Sequence, residues 1–276
     1  MPTRIYSARP ALAEPGGFLR DALLDLVMAL PMAAMLFRAG LRSRHRRAGL
    51  SYIWLIVPGA ATALTFTLIQ HSHILAYGDK RVPYGIFVLT GMFLWQGASE
   101  ALAMPLAQLT ARRRFLFQTP LPHEAVLLAG LAEIGLNMAV RLALLALVLV
   151  IWGMPVRIEW ALVPGAALLC ILLGLAAGIW LAPWGLLFDD VGQGIRLFTS
   201  FGLLLTPVVY AIPAGSVLRY NPLAPPLDAA RGWVAGYQPT AGFGQLALLA
   251  VGGLGVAWLG WLHYRLARPH LATRVC

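Results

Sequence analysis

A chain of 276 residues that is 59% hydrophobic and only 12% charged departs from the soluble average of roughly 45–50% apolar and about 25% charged. Its mean hydropathy of +0.74 agrees, and together they mark an integral membrane protein. The net charge of +10 is carried by arginine, with Lys80 the one lysine; in a membrane chain that balance sets topology and lipid contact, so nucleic-acid binding is a poor reading of a pI near 10.4.

Residues 1–17 lack the apolar core of a cleavable signal, so the first spanning helix is expected to serve as its own signal. In residues 18–41, Leu19, Leu23, Leu26 and Leu30 recur at helical spacing, with Arg20, Asp21 and Asp25 largely off that face. The uninterrupted apolar stretch from Leu26 to Phe37 contains Pro31 and is shorter than the ~20 residues a span needs, which predicts an amphipathic helix lying in the interface. A kinked additional span is the alternative.

The basic run Arg42-Ser43-Arg44-His45-Arg46-Arg47 follows, and six transmembrane helices are predicted at 50–70, 84–104, 125–152, 160–181, 194–212 and 243–264, all within a single transmembrane domain, 1–276. In that arrangement 15 of the 21 Lys and Arg lie on the N-terminal side and five on the other, so both termini are expected to be cytoplasmic. Residues 105–124 and 182–193 then become cytoplasmic connections, and 71–83, 153–159 and 213–240 external ones. The last is rich in Pro and Gly with an apolar tinge (YNPLAPPLDAARGWVAG). Short re-entrant helices fit it better than a floppy connector, because long structureless loops are uncommon and irregular backbone at membrane depth needs protein or water around it.

The chain is organised around residues 83–124, where an apolar, aromatic span hands over to Arg112, Arg113 and Arg114, then Phe115 and Phe117, then Pro120-Leu121-Pro122. Arginine is costly at the bilayer centre and cheap beside headgroups, so the triplet marks the membrane edge. Glu100, Glu133 and Arg141 fall inside spans and should face protein or water. Glu133 and Arg141 share one face of a helix but stand ~12 Å apart along it, so each is expected to meet another partner. His71 and His73 with Asp79 lack a third ligand, Asp189-Asp190 is an isolated acid pair, and Cys170 and Cys276 make neither a disulfide framework nor a zinc pattern. No metal site is predicted. No nucleophile, base and orienter converge, which argues against an enzyme.

Five short stretches in chain order carry a resemblance. They are Arg44-His45-Arg46 leading to Leu50-Ser51, Trp54 and Pro58; then Pro83, Gly91, Trp95, Ser99 and Glu100; then Phe117 to Leu127, with Pro122-His123-Glu124 where Pro-Arg-Glu is usual; then Asp190-Val191, with Asp189 where many members carry Arg; and Thr206-Pro207-Val208-Val209-Tyr210 with Asn221-Pro222 and Arg231. Together they resemble the transmembrane permease subunit of bacterial ABC exporters for polysaccharides and polyol phosphates, the group that exports O-antigen, capsule and teichoic acid.

The resemblance implies an inner-membrane homodimer bound to two copies of a cytoplasmic ABC ATPase. This chain has no G-x-x-x-x-G-K-S/T and needs no cofactor; ATP and Mg belong to the partner. It implies a coupling helix within 107–119, with Arg112, Arg113 and Arg114 at the ATPase rim and Phe115 and Phe117 as buried anchors. Anchoring to anionic lipid is the plainer role for the arginines. Arg42, Arg44, Arg46 and Arg47 would gather the anionic head of a glycan or glycolipid cargo by forked hydrogen bonds, against simple juxtamembrane anchoring. Phe87, Phe93, Trp95 and Tyr210 are conduit candidates because sugar rings stack on aromatic faces, with Trp184, Phe198 and Phe201 beside them; helix packing is the alternative for each. Glu100, Glu124 and Asp190 are gate or packing candidates, and periplasmic or outer-membrane export proteins are further partners. A same-superfamily exporter of a drug or small lipid shares most landmarks. An intramembrane enzyme or a stand-alone transporter is the remaining alternative, although no internal repeat supports a proton-driven one.

Overall fold

A computed structural model describes residues 15–47, 51–71, 83–112, 122–211 and 216–275 of the chain. The described residues form eight α-helices: α1 (Pro15–Arg47), α2 (Ser51–His71), α3 (Tyr84–Ala111), α4 (His123–Ile151), α5 (Val163–Leu187), α6 (Asp189–Leu205), α7 (Ala224–Ala235) and α8 (Phe243–Val275). Short 3-10 turns at Ile158–Leu162 and Val217–Tyr220 precede α5 and α7. Among the described residues, five helical stretches are long and apolar enough to cross a membrane: Gly16–Ser43, Tyr84–Ala111, His123–Ile151, Ile158–Leu187 and Phe243–Pro269. The chain is a multi-pass, all-helical membrane protein.

Helix α3 is the centre of the bundle. Its most apolar stretch is 78% buried, against 17% for those of α1 and α8, because α2, α4, α5, α6 and α7 all pack on it. Small residues permit the closest of these contacts. A Cβ on Gly174 or Gly178 of α5 would overlap the carbonyl oxygens of Ala98 and Leu102 on α3. In lipid, where apolar side chains gain little by leaving the solvent, such close backbone approach is a main source of helix association.

The same logic governs α1. Leu19, Leu23 and Leu30 are exposed, whereas Ala22, Ala29 and Ala33 are buried and Leu26 is half-buried beside Ile179 and Trp261. Ala29 and Ala33 pack on Ala125 and Ala129 of α4. A soluble amphipathic helix would bury its leucines; a helix in a bilayer turns them to lipid and packs its small residues inward. Helix α1 also continues unbroken through Pro31 and carries the length and apolarity of a span, where the sequence favours an interfacial helix.

The fifth expected span, 194–212, is set differently. Helix α6 begins at Asp189, with Asp189 and Asp190 in its first turn, and ends at Leu205. The acids complement the N-terminal dipole. The end is dictated by Pro207: the residue before a proline is pushed out of the helical region, and Thr206 is extended at φ −110°, ψ 139°. In the last connection, helix α7 is buried along most of its length, and Gly236 in the left-handed conformation (φ +77°) closes it.

Candidate functional site

The chain from Thr206 to Tyr210 leaves the helix yet remains among buried residues, so its freed carbonyls need donors. Arg231, on α7 and 5% exposed, supplies two of them. Its Nη1 donates to Pro207 O at 2.7 Å, its Nη2 to Val208 O, and its Nε to Phe87 O at 3.3 Å. The guanidinium also lies 3.6 Å from the centre of the Phe87 ring, a cation–π contact in a desolvated place. Tyr84 Oη donates to Val209 O at 2.6 Å, and Tyr210 Oη donates to Leu204 O at 2.8 Å. Asn221 Nδ2 donates to Leu205 O and Thr206 Oγ1, both at 3.1 Å, while its Oδ1 accepts from Leu223 N at 2.9 Å and so opens α7. Gly91 makes room: a Cβ there would overlap the Arg231 guanidinium and stand 2.8 Å from Val208 O.

Below this hub a groove runs between α3, α5 and α6. It opens into a cavity of about 780 Å³ whose wall includes Trp95 and Ser99 of α3, Leu173 and Leu181 of α5, and Ile195 and Phe198 of α6. Trp95 and Phe198 meet at a centroid distance of 5.8 Å and a tilt of 54°. Gly202 admits the Trp95 ring, which a Cβ would approach to 2.8 Å. Thr206, Asn221 and Pro222 line the same cavity, at the hub. Ile195 is shared with a second hollow of about 470 Å³, where Thr110, Asp189, Gln193 and Arg196 make the wall polar. The two hollows together form a track along α3 and α6, polar near the end of α3 and apolar with aromatic rings beyond.

Two ion-paired clusters pin the helices around this track. Arg141 on α4, 2% exposed, pairs with Glu100 on α3, and Asn137 Nδ2 donates to Glu100 at 3.4 Å. Arg141 thus meets a partner on another helix, as its distance from Glu133 requires. Arg265 on α8 donates to Glu124 on α4 at 2.8 Å and to Asp25 on α1 at 2.9 Å. Three helices therefore meet at one guanidinium. His123, standing where arginine is usual in the resembled pattern, shares a buried hydrogen bond with Tyr264 of α8.

The sequence-predicted site residues separate into groups. Of the conduit candidates, Trp95 lines the groove. Phe87 lies under Arg231, and Tyr210 closes its own turn. Phe93 is 1% exposed and packs against Gly59 of α2, which makes it a packing residue. Phe198, named only beside those candidates, is the ring that faces Trp95. Glu100 and Glu124 are ion-paired, and Asp190 is exposed at the start of α6. Arg42 is exposed near the end of α1; Arg44, Arg46 and Arg47 continue that helix, and their side chains lie outside the described residues. Arg112 caps α3, whereas Arg113, Arg114, Phe115 and Phe117 lie outside the described residues. The role of Arg231 had one sequence signal: an arginine in an apolar loop must find acceptors.

Comparison with known proteins bears on the whole arrangement. Residues 33–235 match the family described as ABC-2 type transporter. Two curated O-antigen export system permease proteins, both RfbA of Klebsiella pneumoniae, are each 25% identical to the chain in an alignment of 195 positions that covers 67% of this chain and 72% of each relative.

Proposed function

Because the chain belongs to the ABC-2 type transporter family, we propose that it is the permease subunit of an exporter that moves a polysaccharide or lipid-linked glycan across the bacterial inner membrane. As an ABC-2 permease it is a transport subunit without a catalytic domain, and it needs no cofactor of its own. ABC-2 permeases pair with ABC ATPase subunits, and two such ATPases would supply the energy. The observation that carries the reading is the track along α3 and α6, whose aromatic pair, Trp95 and Phe198, offers ring faces on which sugars can slide. The relatives named for O-antigen export support the cargo class.

The groove is open on one side, and the neighbouring face of α6 exposes Leu197, Phe201 and Leu204. A second copy of the chain would cover both. The homodimer would have six spans per subunit and both termini cytoplasmic, as the arginine distribution favours. Cargo would enter beside Arg42, Arg44, Arg46 and Arg47 and pass the polar hollow at Asp189 and Arg196. Arg112 to Arg114 with Phe115 and Phe117 would couple the permease to the ATPase, and export proteins of the periplasm or outer membrane would continue the route.

Co-purification with an ABC ATPase encoded beside the chain, followed by ATP turnover in lipid, tests the proposal. Phe115→Ala with Phe117→Ala is expected to dissociate or uncouple the complex. Failure of any ATPase to associate, with a silent double variant, would overturn it. A second reading, export of a drug or small lipid, is favoured by the apolar character of the groove's middle. In that case deletion would sensitise cells to the drug and leave surface glycan unchanged.

A further inference from the structure

The hub separates two cavities. Thr206 lines the groove, while the next residue, Pro207, lines a cavity of about 540 Å³ on the other side, bounded by the 3-10 turn at Val217–Tyr220, α7 and the start of α8. That second cavity differs in chemistry from the groove. Arg219, Asp228, Tyr237, Gln238, Thr240 and Gln245 give it polar walls over a floor that includes Phe87 and Pro207. Its volume lies within the range of small-ligand clefts, about 300–1,000 Å³.

Part of this polar set is already committed. Asp228 accepts from Thr240 N at 2.8 Å, from Thr240 Oγ1 at 2.6 Å and from Tyr237 Oη at 3.3 Å. These bonds fix the α7–α8 connection as a preformed wall. Arg231 is spent on the hub carbonyls. The Arg219 side chain and the two carboxamides, Gln238 and Gln245, are exposed and make no side-chain hydrogen bond among the described residues. The unengaged groups around the cavity are thus one guanidinium and two amide donor–acceptor pairs, and the charges that line it, Arg219 and Arg231 against Asp228, leave a positive excess.

We propose that this cavity binds an acidic sugar unit, one carrying a carboxylate or a phosphate, as the glycan leaves the groove. The guanidinium takes the anion by forked hydrogen bonds, and the carboxamides, which both donate and accept, take ring hydroxyls. The site lies one residue beyond the groove's wall, on the external side of the arrangement the arginines favour. It rests on the export reading and narrows it: the cargo would carry anionic units, and the outer face would hold one of them.

The test uses the full chain in phosphatidylcholine nanodiscs, with binding of glucuronate, glucose 1-phosphate, glucose and inorganic phosphate followed by calorimetry. Both acidic sugars are expected to bind at least about tenfold more tightly than glucose, the least that a hydrogen bond to a charged group contributes. Arg219→Gln should erase that preference, and Gln238→Ala with Gln245→Ala should weaken all three sugars. The Arg219 side chain is exposed and unbonded, so its replacement leaves the fold intact. Equal binding of glucose and the acidic sugars, no binding at all, or an Arg219→Gln variant with the original preference would overturn the proposal. Inorganic phosphate binding as tightly as glucose 1-phosphate would reduce the site to an anion site. Loss of glucuronate binding when phosphatidylglycerol is added to the nanodisc would assign it to a lipid headgroup, again overturning the sugar. No ATPase enters this assay, so its failure leaves the export reading standing, and failure of the ATPase to associate leaves the binding result standing.

Discussion

Replacing Arg231 with methionine keeps much of the side chain's apolar bulk and removes three hydrogen bonds, to the carbonyls of Phe87, Pro207 and Val208. Phe87 and Val208 are 7% and 0% exposed; the Phe87 carbonyl lies within α3 and keeps its helical partner, whereas α6 ends at Leu205 and leaves the Pro207 and Val208 carbonyls with none. Leaving a buried acceptor unmet costs about 1–3 kcal/mol. Taking the low end for two carbonyls and adding ~0.5–2 kcal/mol for the lost contact with the Phe87 ring gives about 2.5–4 kcal/mol. At ~2 °C per kcal/mol for a chain of this size, the thermal midpoint should fall by about 5–8 °C. Arg231→Lys should recover little of it, because one ammonium cannot reach three carbonyls arranged for a planar fork. The assay is thermal unfolding of the purified chain in nanodiscs, with amide exchange at 206–210 as the local readout. A midpoint within ~2 °C of the original, with exchange at those amides unchanged, would show that the hub does not depend on this arginine.

Gly174→Leu is expected to abolish stable α3–α5 packing, since even a Cβ would stand 2.9 Å from the Ala98 carbonyl carbon; overpacking of this kind costs about 1–3 kcal/mol or more, and the yield of monodisperse protein in detergent checks it. Glu100→Leu leaves Arg141 buried without its carboxylate and should destabilise by about 3–5 kcal/mol, whereas Glu100→Leu with Arg141→Met should regain much of that loss; the double-mutant cycle in thermal unfolding decides. Trp95→Ala should empty one wall of the groove and lower glycan export several-fold while ATPase association stays intact, measured as surface glycan against co-purified ATPase. Arg265→Met should free α1 from α4 and α8 by removing the bonds to Asp25 and Glu124, read as faster proteolysis within residues 15–47.

Much was legible before any coordinates because bilayer physics writes itself into composition. The membrane class, the helical content and the central place of residues 83–124 follow from runs of apolar residues that only a helix can carry through lipid. The need of Glu100 and Arg141 for partners was also legible, since neither can face lipid. Short helices in the last connection were foreseen for the same reason. The aromatic candidates were less legible. Phe87, Phe93, Trp95 and Tyr210 read alike in sequence, yet Trp95 alone among them lines the groove, because the direction of a ring depends on which helix packs beside it.

The sequence by itself determined that this chain lives in a membrane and that its interior charges must face protein or water. Each of these is a local consequence of solvation. Only the tertiary structure decided that α1 buries alanine and exposes leucine, that Arg231 is the donor for the interrupted helix, and that Asp25, Glu124 and Arg265 form one cluster. Those outcomes depend on which surfaces approach across long stretches of chain, and in lipid the approach is governed by small residues and satisfied polar groups, which no single segment specifies alone.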